Sequence, residues 1–214
     1  MEEQFWQQRW TDNEIGFHQP KANPLLVRNL PALGLAAGAR VFVPLCGKSL
    51  DLHWLLAQGY RVAGAELTLM AVQQLFAELG VTPQINKAGE LMRYEAGAIT
   101  VFQGSIFDLT QELLGPVDAV YDRAALVALP KPMREEYASH VPAITRNAPQ
   151  LLVCFEYDQA CVNGPPFSVV EAEVRQRYEG TYAVSLLERV DVQGGLKGTC
   201  PATEAAWHLA ARNG

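Results

Sequence analysis

The alternation of short β-rich runs with helical segments is the feature that most restricts the fold of this chain. From residue 40 onward, ARVFVPL is followed by SLDLHWLLAQG and YRVAGAEL by TLMAVQQLFAELG, and the second member of each pair has apolar residues at helical spacing. Such alternation predicts right-handed crossovers and a mostly parallel sheet with helices on both faces. We therefore expect an α/β fold whose ligand lies at the carboxyl ends of the strands.

The rest of the chain continues this pattern. LMRYEAGAITVFQG predicts a hairpin-like strand pair, VDAVYDR, QLLVCFEYD and YAVSLLERVDV predict further strands, and EAAWHLAAR predicts a last strand or a short helix. Because no repeat or low-complexity linker divides the chain, residues 1–214 are expected to form one domain with a regular core at 40–214. In the segment 1–39, the aromatic residues of FWQQRW have the spacing of a helix that packs one face onto something.

Composition restricts the partners of the protein. Its 23 acidic and 17 basic residues give a net charge of -6, which argues against general affinity for nucleic acid. No apolar stretch approaches the roughly 20 residues that span a bilayer, and MEEQFWQQRW does not read as an export signal. The four cysteines form no Cys-x-x-Cys pair and the histidines lack ligand spacing, so we expect no metal and a reducing, cytoplasmic location.

The GKS tripeptide after the first predicted strand is not a phosphate-binding loop. A Walker A loop needs its first glycine at position 42, which is Phe42, and the turn also lacks the Gly-x-Gly-x-x-Gly pattern. Glu66 ends the second predicted strand, 19 residues after Gly47, where an acidic side chain can accept hydrogen bonds from ribose hydroxyls. The alternative is a surface glutamate that begins a helix. The turn has too few glycines to bind a pyrophosphate. Together with Glu66, it indicates a ligand that contains an adenosine without phosphates, as S-adenosylmethionine does.

Two further strand ends carry candidate residues. Ser105 and Ile106 follow the third strand and could contact an adenine, whereas the alternative is that Ser105 and Asp108 cap the next helix. Asp122 and Arg123 end the fourth strand. They could form an ordinary surface ion pair, or Arg123 could hold a carboxylate by two hydrogen bonds.

Taken together, these motifs resemble the thiopurine S-methyltransferase family. The resemblance runs collinearly from FWQQRW and GFHQ through VFVPLCGKSLDLHWLLAQGYRVAGAEL, GSIFDL and YDRAALVAL to GPPFSV, over nearly the whole chain. It implies the Rossmann-like class I methyltransferase fold, with a seven-stranded sheet whose last strand is antiparallel. It also implies S-adenosylmethionine-dependent methylation of aromatic or heterocyclic thiols such as thiopurines. Selenium or tellurium compounds, or another small thiol, are the alternative acceptors.

The resemblance also implies the residues that hold the donor. These expected donor-binding residues are Trp10, Leu45, Gly47, Glu66, Ser105, Ile106 and Arg123. Trp10 could add a cation–π contact to the sulfonium of the donor, or it could simply pack the first helix onto the domain. We expect residues 1–39 to form an N-terminal helical lid that excludes water from the donor. Two residues are candidates for catalysis: Arg123 could steady a thiolate that approaches from the other side, and Asp122 could relay a proton. For Asp122, a structural role in orienting Arg123 is the stronger expectation.

The acceptor side is expected to be apolar. Phe17, with His18 beside it, and Pro166 would shape a pocket suited to a flat heterocycle, whereas the alternative for Phe17 is core packing. The family commonly supplies a late arginine for the acceptor, but in DVQGGLKGTCPATE the only basic residue is Lys197. Cys46 is expected to be a packing residue, because direct methyl transfer leaves no role for a covalent intermediate.

Two rival functions share parts of this pattern. A nicotinamide oxidoreductase would share the sheet and Glu66, but it needs the glycine-rich pyrophosphate turn that PLCGKS does not provide. A non-catalytic binding module would bind the donor without turnover. We expect a monomer, because no long apolar surface stripe is left unassigned.

Overall fold

The computed structural model describes residues 3–12, 14 and 19–212. The strands are β1 (Arg40–Val43), β2 (Arg61–Glu66), β3 (Gln84–Ala88), β4 (Leu91–Ala96), β5 (Ile99–Gln103), β6 (Ala119–Arg123), β7 (Gln150–Tyr157), β8 (Tyr182–Asp191) and β9 (Ala202–Ala211). The helices are α1 (Glu3–Thr11), α2 (Pro24–Asn29), α3 (Leu50–Ala57), α4 (Leu69–Glu78), α5 (Gln111–Leu114), α6 (Lys131–Thr145) and α7 (Glu171–Tyr178), with short 3₁₀ helices at Leu30–Leu33, Ile106–Asp108 and Leu126–Ala128.

Strand number and direction correct the expectation of a seven-stranded, mostly parallel sheet. The described residues form one nine-stranded mixed sheet in the order β3-β4-β5-β2-β1-β6-β7-β9-β8. Strands β5, β2, β1, β6 and β7 are parallel neighbours, whereas β3, β4, β8 and β9 pair antiparallel. β3 was not predicted from the sequence. Its residues QINKA are polar and almost wholly exposed, so they lack the alternation of apolar and polar residues that marks a half-buried strand.

The central strands bury side chains on both faces of the sheet, as the sequence predicted. In β1, Phe42 packs on the face covered by α5, α6 and α7, in the same cluster as Tyr137. Val41 packs on the opposite face with Leu52 and Leu75, from α3 and α4. Successive side chains of a strand point to opposite faces, so one continuous apolar run supplies both cores. Among the helices of the described chain, none is long and apolar enough to cross a membrane.

The carboxyl ends of the parallel strands meet at one edge of the sheet. Glu66 at the end of β2 lies beside Gln103 at the end of β5, and the turn after β1 continues the pairing, since the N–H of Cys46 donates to the carbonyl of Ala65 at 3.0 Å. Gly64 makes this approach possible, because a Cβ at that position would lie 2.8 Å from Sγ of Cys46. Cys46 is buried in this contact, which agrees with its expected packing role.

The two-sided core leads to a stability prediction. Phe42 is completely buried in a central strand, so Phe42→Ala leaves a cavity and should lower the free energy of unfolding by about 3–5 kcal/mol. Ile85 is 52% exposed on the edge strand β3, so Ile85→Ala should change it by less than about 0.5 kcal/mol. Urea denaturation of the two variants measures both values. Equal losses would contradict the assignment of Phe42 to the core.

Candidate functional site

A cavity of about 610 Å³ opens at the edge where the parallel strands end. This volume lies within the range of about 300–1,000 Å³ of small-molecule sites. The predicted site residues that line it are Trp10, Leu45, Gly47, Glu66, Ser105, Ile106, Arg123 and Pro166. The structure therefore brings together residues from the turns after β1 and β5, the last residues of β2 and β6, one residue from α1 and one from the loop after β7. Phe17 and His18 lie outside the described residues.

Glu66 is the buried acid at the centre of this edge. Its Oε2 atom accepts a hydrogen bond from the N–H of Gly47 at 2.8 Å, and Oε1 accepts one from the N–H of Thr68 at 2.8 Å. The side chain is only 7% exposed, so the surface alternative does not hold. Burial raises the pKa of Glu66 above its ordinary value, and the N–H groups of Thr68 and Gly47 oppose that rise.

The turn after β1 is a strained connection into α3. Leu45 has a φ of 46°, and Ala124, directly after β6, has a φ of 63°. Both are non-glycine residues in the left-handed region, and both line the cavity. Such strain costs on the order of 1–3 kcal/mol per residue and is found disproportionately at ligand sites.

The Gly-Lys-Ser tripeptide leads into a helix, as its sequence context predicted. Lys48 forms an ion pair with Glu78 at 2.7 Å, so its ammonium has a protein partner. The hydroxyl of Ser49 accepts from the N–H of Asp51 at 3.2 Å and caps α3.

Ser105 caps a short helix, and both Ser105 and Ile106 lie in the cavity wall. The hydroxyl of Ser105 accepts from the N–H of Phe107 at 3.3 Å and so caps the short 3₁₀ helix, which was the structural alternative. Both residues nevertheless line the cavity, and Ile106 remains 7% exposed. The carbonyl of Ile106 lies 2.8 Å from Nε2 of His140, which fixes this segment against α6.

Arg123 lies in a buried polar cluster that sequence reasoning missed. Its Nη1 atom is 3.9 Å from Oδ2 of Asp51, and the side chains of the two residues are 7% and 3% exposed. The hydroxyl of Tyr121 donates to the same Oδ2 at 2.9 Å, and the N–H of Asn23 donates to Oδ1 at 2.6 Å. Asp51 and Tyr121 both line the cavity. Two features of the sequence could have indicated this cluster. Asp51 follows Gly-Lys-Ser by two residues, and Tyr121 and Arg123 are two residues apart on one strand, so their side chains point to the same face.

Asp122 is not among the residues that line the cavity. Strand alternation directs it to the opposite face from its two neighbours, where the hydroxyl of Tyr137 donates to Oδ2 at 2.6 Å and the N–H of Leu126 donates to Oδ1 at 3.1 Å. It is fully buried, and burial raises its pKa to about 6, although these hydrogen bonds oppose the rise. The geometry thus gives no support to the proton relay and instead places Asp122 behind the site.

The far side of the cavity is formed by α1 and two loops. From α1 come Trp6, Arg9 and Trp10, the last of which is 5% exposed. Pro166, in the loop after β7, and Lys197, between β8 and β9, complete this side. The loop that lacks the late arginine therefore does bring its one basic residue to the cavity wall.

Comparison with known proteins identifies the family. The family profile described as thiopurine S-methyltransferase matches residues 1–207. The chain belongs to this family. The thiopurine S-methyltransferase of Xanthobacter autotrophicus is 57% identical over 210 residues, which cover 98% of this chain and 99% of that protein. The thiopurine S-methyltransferase of Gluconobacter oxydans is 53% identical over 205 residues, covering 96% and 93%. Membership in the thiopurine S-methyltransferase family confirms the prediction of a methyltransferase with S-adenosylmethionine as its donor.

Solved structures show the same fold at low sequence identity. Magnesium protoporphyrin IX methyltransferase from Synechocystis matches with a TM-score of 0.64 at 13% identity, covering 98% of this chain and 100% of that one. A 1,6-didemethyltoxoflavin-N1-methyltransferase from Burkholderia thailandensis matches with a TM-score of 0.64 at 15% identity, covering 97% and 87%. Both of those structures contain S-adenosylhomocysteine. The likeness establishes the Rossmann-like methyltransferase fold.

The burial of Asp122 leads to a pH-dependent prediction. Because its pKa rises from 3.8 to about 6 on folding, the folded state takes up a proton between these values and loses stability as the pH rises through them. Asp122→Asn removes this titration. Between about pH 4 and pH 7, wild type should therefore lose on the order of 3 kcal/mol relative to the variant.

Urea denaturation across this pH range measures the effect, and the pH profile of methyl transfer should keep its shape in the variant. If the free energies of unfolding of wild type and variant changed in parallel with pH, the raised pKa of Asp122 would be refuted. A displaced activity profile would instead restore the proton relay.

Proposed function

We propose that this methyltransferase transfers the methyl group of S-adenosylmethionine to the sulfur of an aromatic or heterocyclic thiol such as a thiopurine. The observation that carries the proposal is one cavity that combines a buried carboxylate, Glu66, with a buried guanidinium, Arg123. These groups match the ribose of the donor and the carboxylate at its amino-acid end. The names of the relatives that are about half identical in sequence support the thiol as acceptor.

Glu66 would bind the ribose of the donor. Each oxygen of a carboxylate offers about two acceptor positions, and each oxygen of Glu66 uses one for a backbone N–H. One position on each oxygen therefore remains for a hydroxyl group. The fixed turn holds the carboxylate in place, so little side-chain entropy is lost on binding. Ser105 and Ile106 would border the adenine, and Leu45 and Gly47 would border the amino-acid end.

Arg123 would bind the donor carboxylate, and Trp10 would cover the sulfonium. An arginine fork forms two parallel hydrogen bonds with a carboxylate. An indole face near a desolvated cation contributes roughly 0.5–2 kcal/mol. Because Trp10 comes from α1, the same contact would draw the N-terminal segment over the donor as a lid.

The protein contributes alignment and exclusion of water to the reaction. The donor supplies a methyl group on positively charged sulfur, and an alkyl thiol with a pKa of ~8.5 is already partly ionised and reactive. Orientation of reacting groups is worth at most roughly 7–11 kcal/mol. Trp10 and Arg123 would fix the donor, and Asp122 would hold the segment at Leu126 behind them.

The acceptor would enter between α1 and the two late loops. Pro166 and Phe155 supply apolar surface, and Lys197 supplies a positive charge at the same wall. A flat heteroaromatic thiolate fits this combination. Phe17 stays a predicted acceptor contact. A monomeric, single-domain, cytoplasmic protein likewise stays a prediction from the sequence.

The proposed function is tested by methyl transfer from labelled S-adenosylmethionine. We expect turnover with 6-mercaptopurine and none with hypoxanthine, which carries oxygen at the same ring position. Glu66→Gln should weaken binding of S-adenosylhomocysteine about 10- to 100-fold, because loss of a hydrogen bond to a charged group costs about 1.5–3 kcal/mol.

Glu78→Gln, which removes an exposed carboxylate on α4, is the matched control and should leave this affinity unchanged within about twofold. If the protein methylated selenite or tellurite but none of the thiols, these compounds would replace the thiol as the proposed acceptor. Absence of binding by wild type would remove the donor site as well.

Closure of the lid is tested by limited proteolysis with trypsin. Cleavage after Arg9 should slow at least about fivefold in saturating S-adenosylhomocysteine, because binding draws α1 onto the cavity and lowers the population of the open state. Lys87, exposed on β3, provides a control site whose cleavage rate should not change. Equal rates at Arg9 with and without ligand would remove the lid from the proposal.

A further inference from the structure

Asp51 is an acidic residue of the cavity to which the proposed function gives no role. It lies in the first turn of α3, where it is 2% exposed and lines the cavity wall. The N–H of Asn23 donates to one of its oxygens and the hydroxyl of Tyr121 to the other. A carboxylate held by two donors from separate elements is preorganised, as binding groups require.

Among the described residues, Asp51 and Glu204 both interact with the guanidinium of Arg123. Glu204, at the start of β9, interacts with both Arg123 and Asp51, and its Oε1 atom is buried without a hydrogen-bond partner among the described residues. Burial raises the pKa of Glu204, Asp51 adds to the rise, and Arg123 opposes it. Two carboxylates thus share one guanidinium. A buried excess of negative charge is costly unless one carboxyl takes up a proton or a cation joins the cluster.

Asp51 has the capacity to receive such a cation. Its two oxygens offer about four acceptor positions, and the hydrogen bonds from Asn23 and Tyr121 occupy two of them. At 3.9 Å, Nη1 of Arg123 lies beyond hydrogen-bonding distance from Oδ2 and acts through its charge. Glu204 does not line the cavity, so Asp51 is the member of the acidic pair that a ligand can reach.

We propose that Asp51 binds the α-ammonium group of the donor while Arg123 binds the neighbouring α-carboxylate. An ammonium presents three donors and no acceptor, which complements the acceptor-only carboxylate of Asp51. The adjacent positive and negative groups of the protein thereby match the zwitterion at the amino-acid end of the ligand. This assignment rests on the proposed function, since it takes S-adenosylmethionine as the occupant of the cavity.

The test uses calorimetric titrations of wild type and two variants with one parent ligand and two truncated analogues. The ligands are S-adenosylhomocysteine, its analogue without the α-amino group and its analogue without the α-carboxylate. Wild type should bind the parent at least about tenfold more tightly than the deaminated analogue. Asp51→Asn should bind these two with equal affinity, within about twofold, whereas Arg123→Gln should lose its preference for the parent over the decarboxylated analogue.

Controls separate a ligand contact from a structural role. Thermal unfolding verifies that Asp51→Asn is folded. A second variant, Tyr121→Phe, keeps the carboxylate of Asp51 but removes one of its hydrogen-bond donors. It should lose less affinity for S-adenosylhomocysteine than Asp51→Asn does, and its affinity should still depend on the amino group of the ligand. Glu204→Gln changes the charge of the same cluster away from the cavity wall. In this variant, the ratio of the affinities for the parent and the deaminated analogue should be at least about a third of the wild-type ratio.

The outcomes distinguish this inference from the function on which it rests. If wild type binds no S-adenosylhomocysteine, both fail together. If wild type binds the parent but Asp51→Asn weakens the parent and the deaminated analogue equally, Asp51 only organises Arg123 and the ammonium assignment is wrong. Equal binding of both ligands by wild type would also overturn it.

Discussion

The carboxylate of Glu66 joins three segments of the chain at the edge of the sheet. It ends β2, accepts from the N–H of Gly47 in the turn after β1, and accepts from the N–H of Thr68 before α4. These backbone groups would otherwise be left without partners at a buried edge, at a cost of about 1–3 kcal/mol each. The same interaction therefore stabilises the two turns and fixes the position of a carboxylate with acceptor capacity to spare. The floor of the cavity depends on it.

Strand alternation decides which polar residues of β6 face the cavity. Tyr121 and Arg123 lie on one side with Asp51, whereas Asp122 lies on the other side with Tyr137. The strand thus separates an acid in the packed core from a charged cluster that a ligand can reach. Burial acts on both groups, but only the second can be compensated by a bound cation. Adjacent residues of one short motif therefore have different surroundings.

Much of the architecture was predictable because burial leaves a periodic pattern in the sequence. The α/β class, the helices on both faces and the antiparallel pair β4 and β5 followed from runs such as RVFV and ITVF. The polar strand β3 leaves no such pattern, because it is exposed at the edge of the sheet. Among the candidate site residues, Glu66 was predicted from its place at the end of the second strand and its spacing to Gly47. The hydrogen bonds of Asp51 to Asn23 and Tyr121 join residues 28 and 70 positions apart, and no local pattern records such contacts.

The sequence by itself determined the family, the order of the central elements and the turns that carry the candidate donor residues. It did so because local spacing and apolar periodicity are written along the chain. Only the tertiary structure decided the nine-stranded mixed sheet, the burial of Asp122 behind the site and the cluster of Asp51, Arg123 and Glu204. These features depend on which face a side chain occupies and on which distant segments meet there. Such relations arise from the packing of the whole chain, and the energies of buried charges are fixed only when that packing is complete.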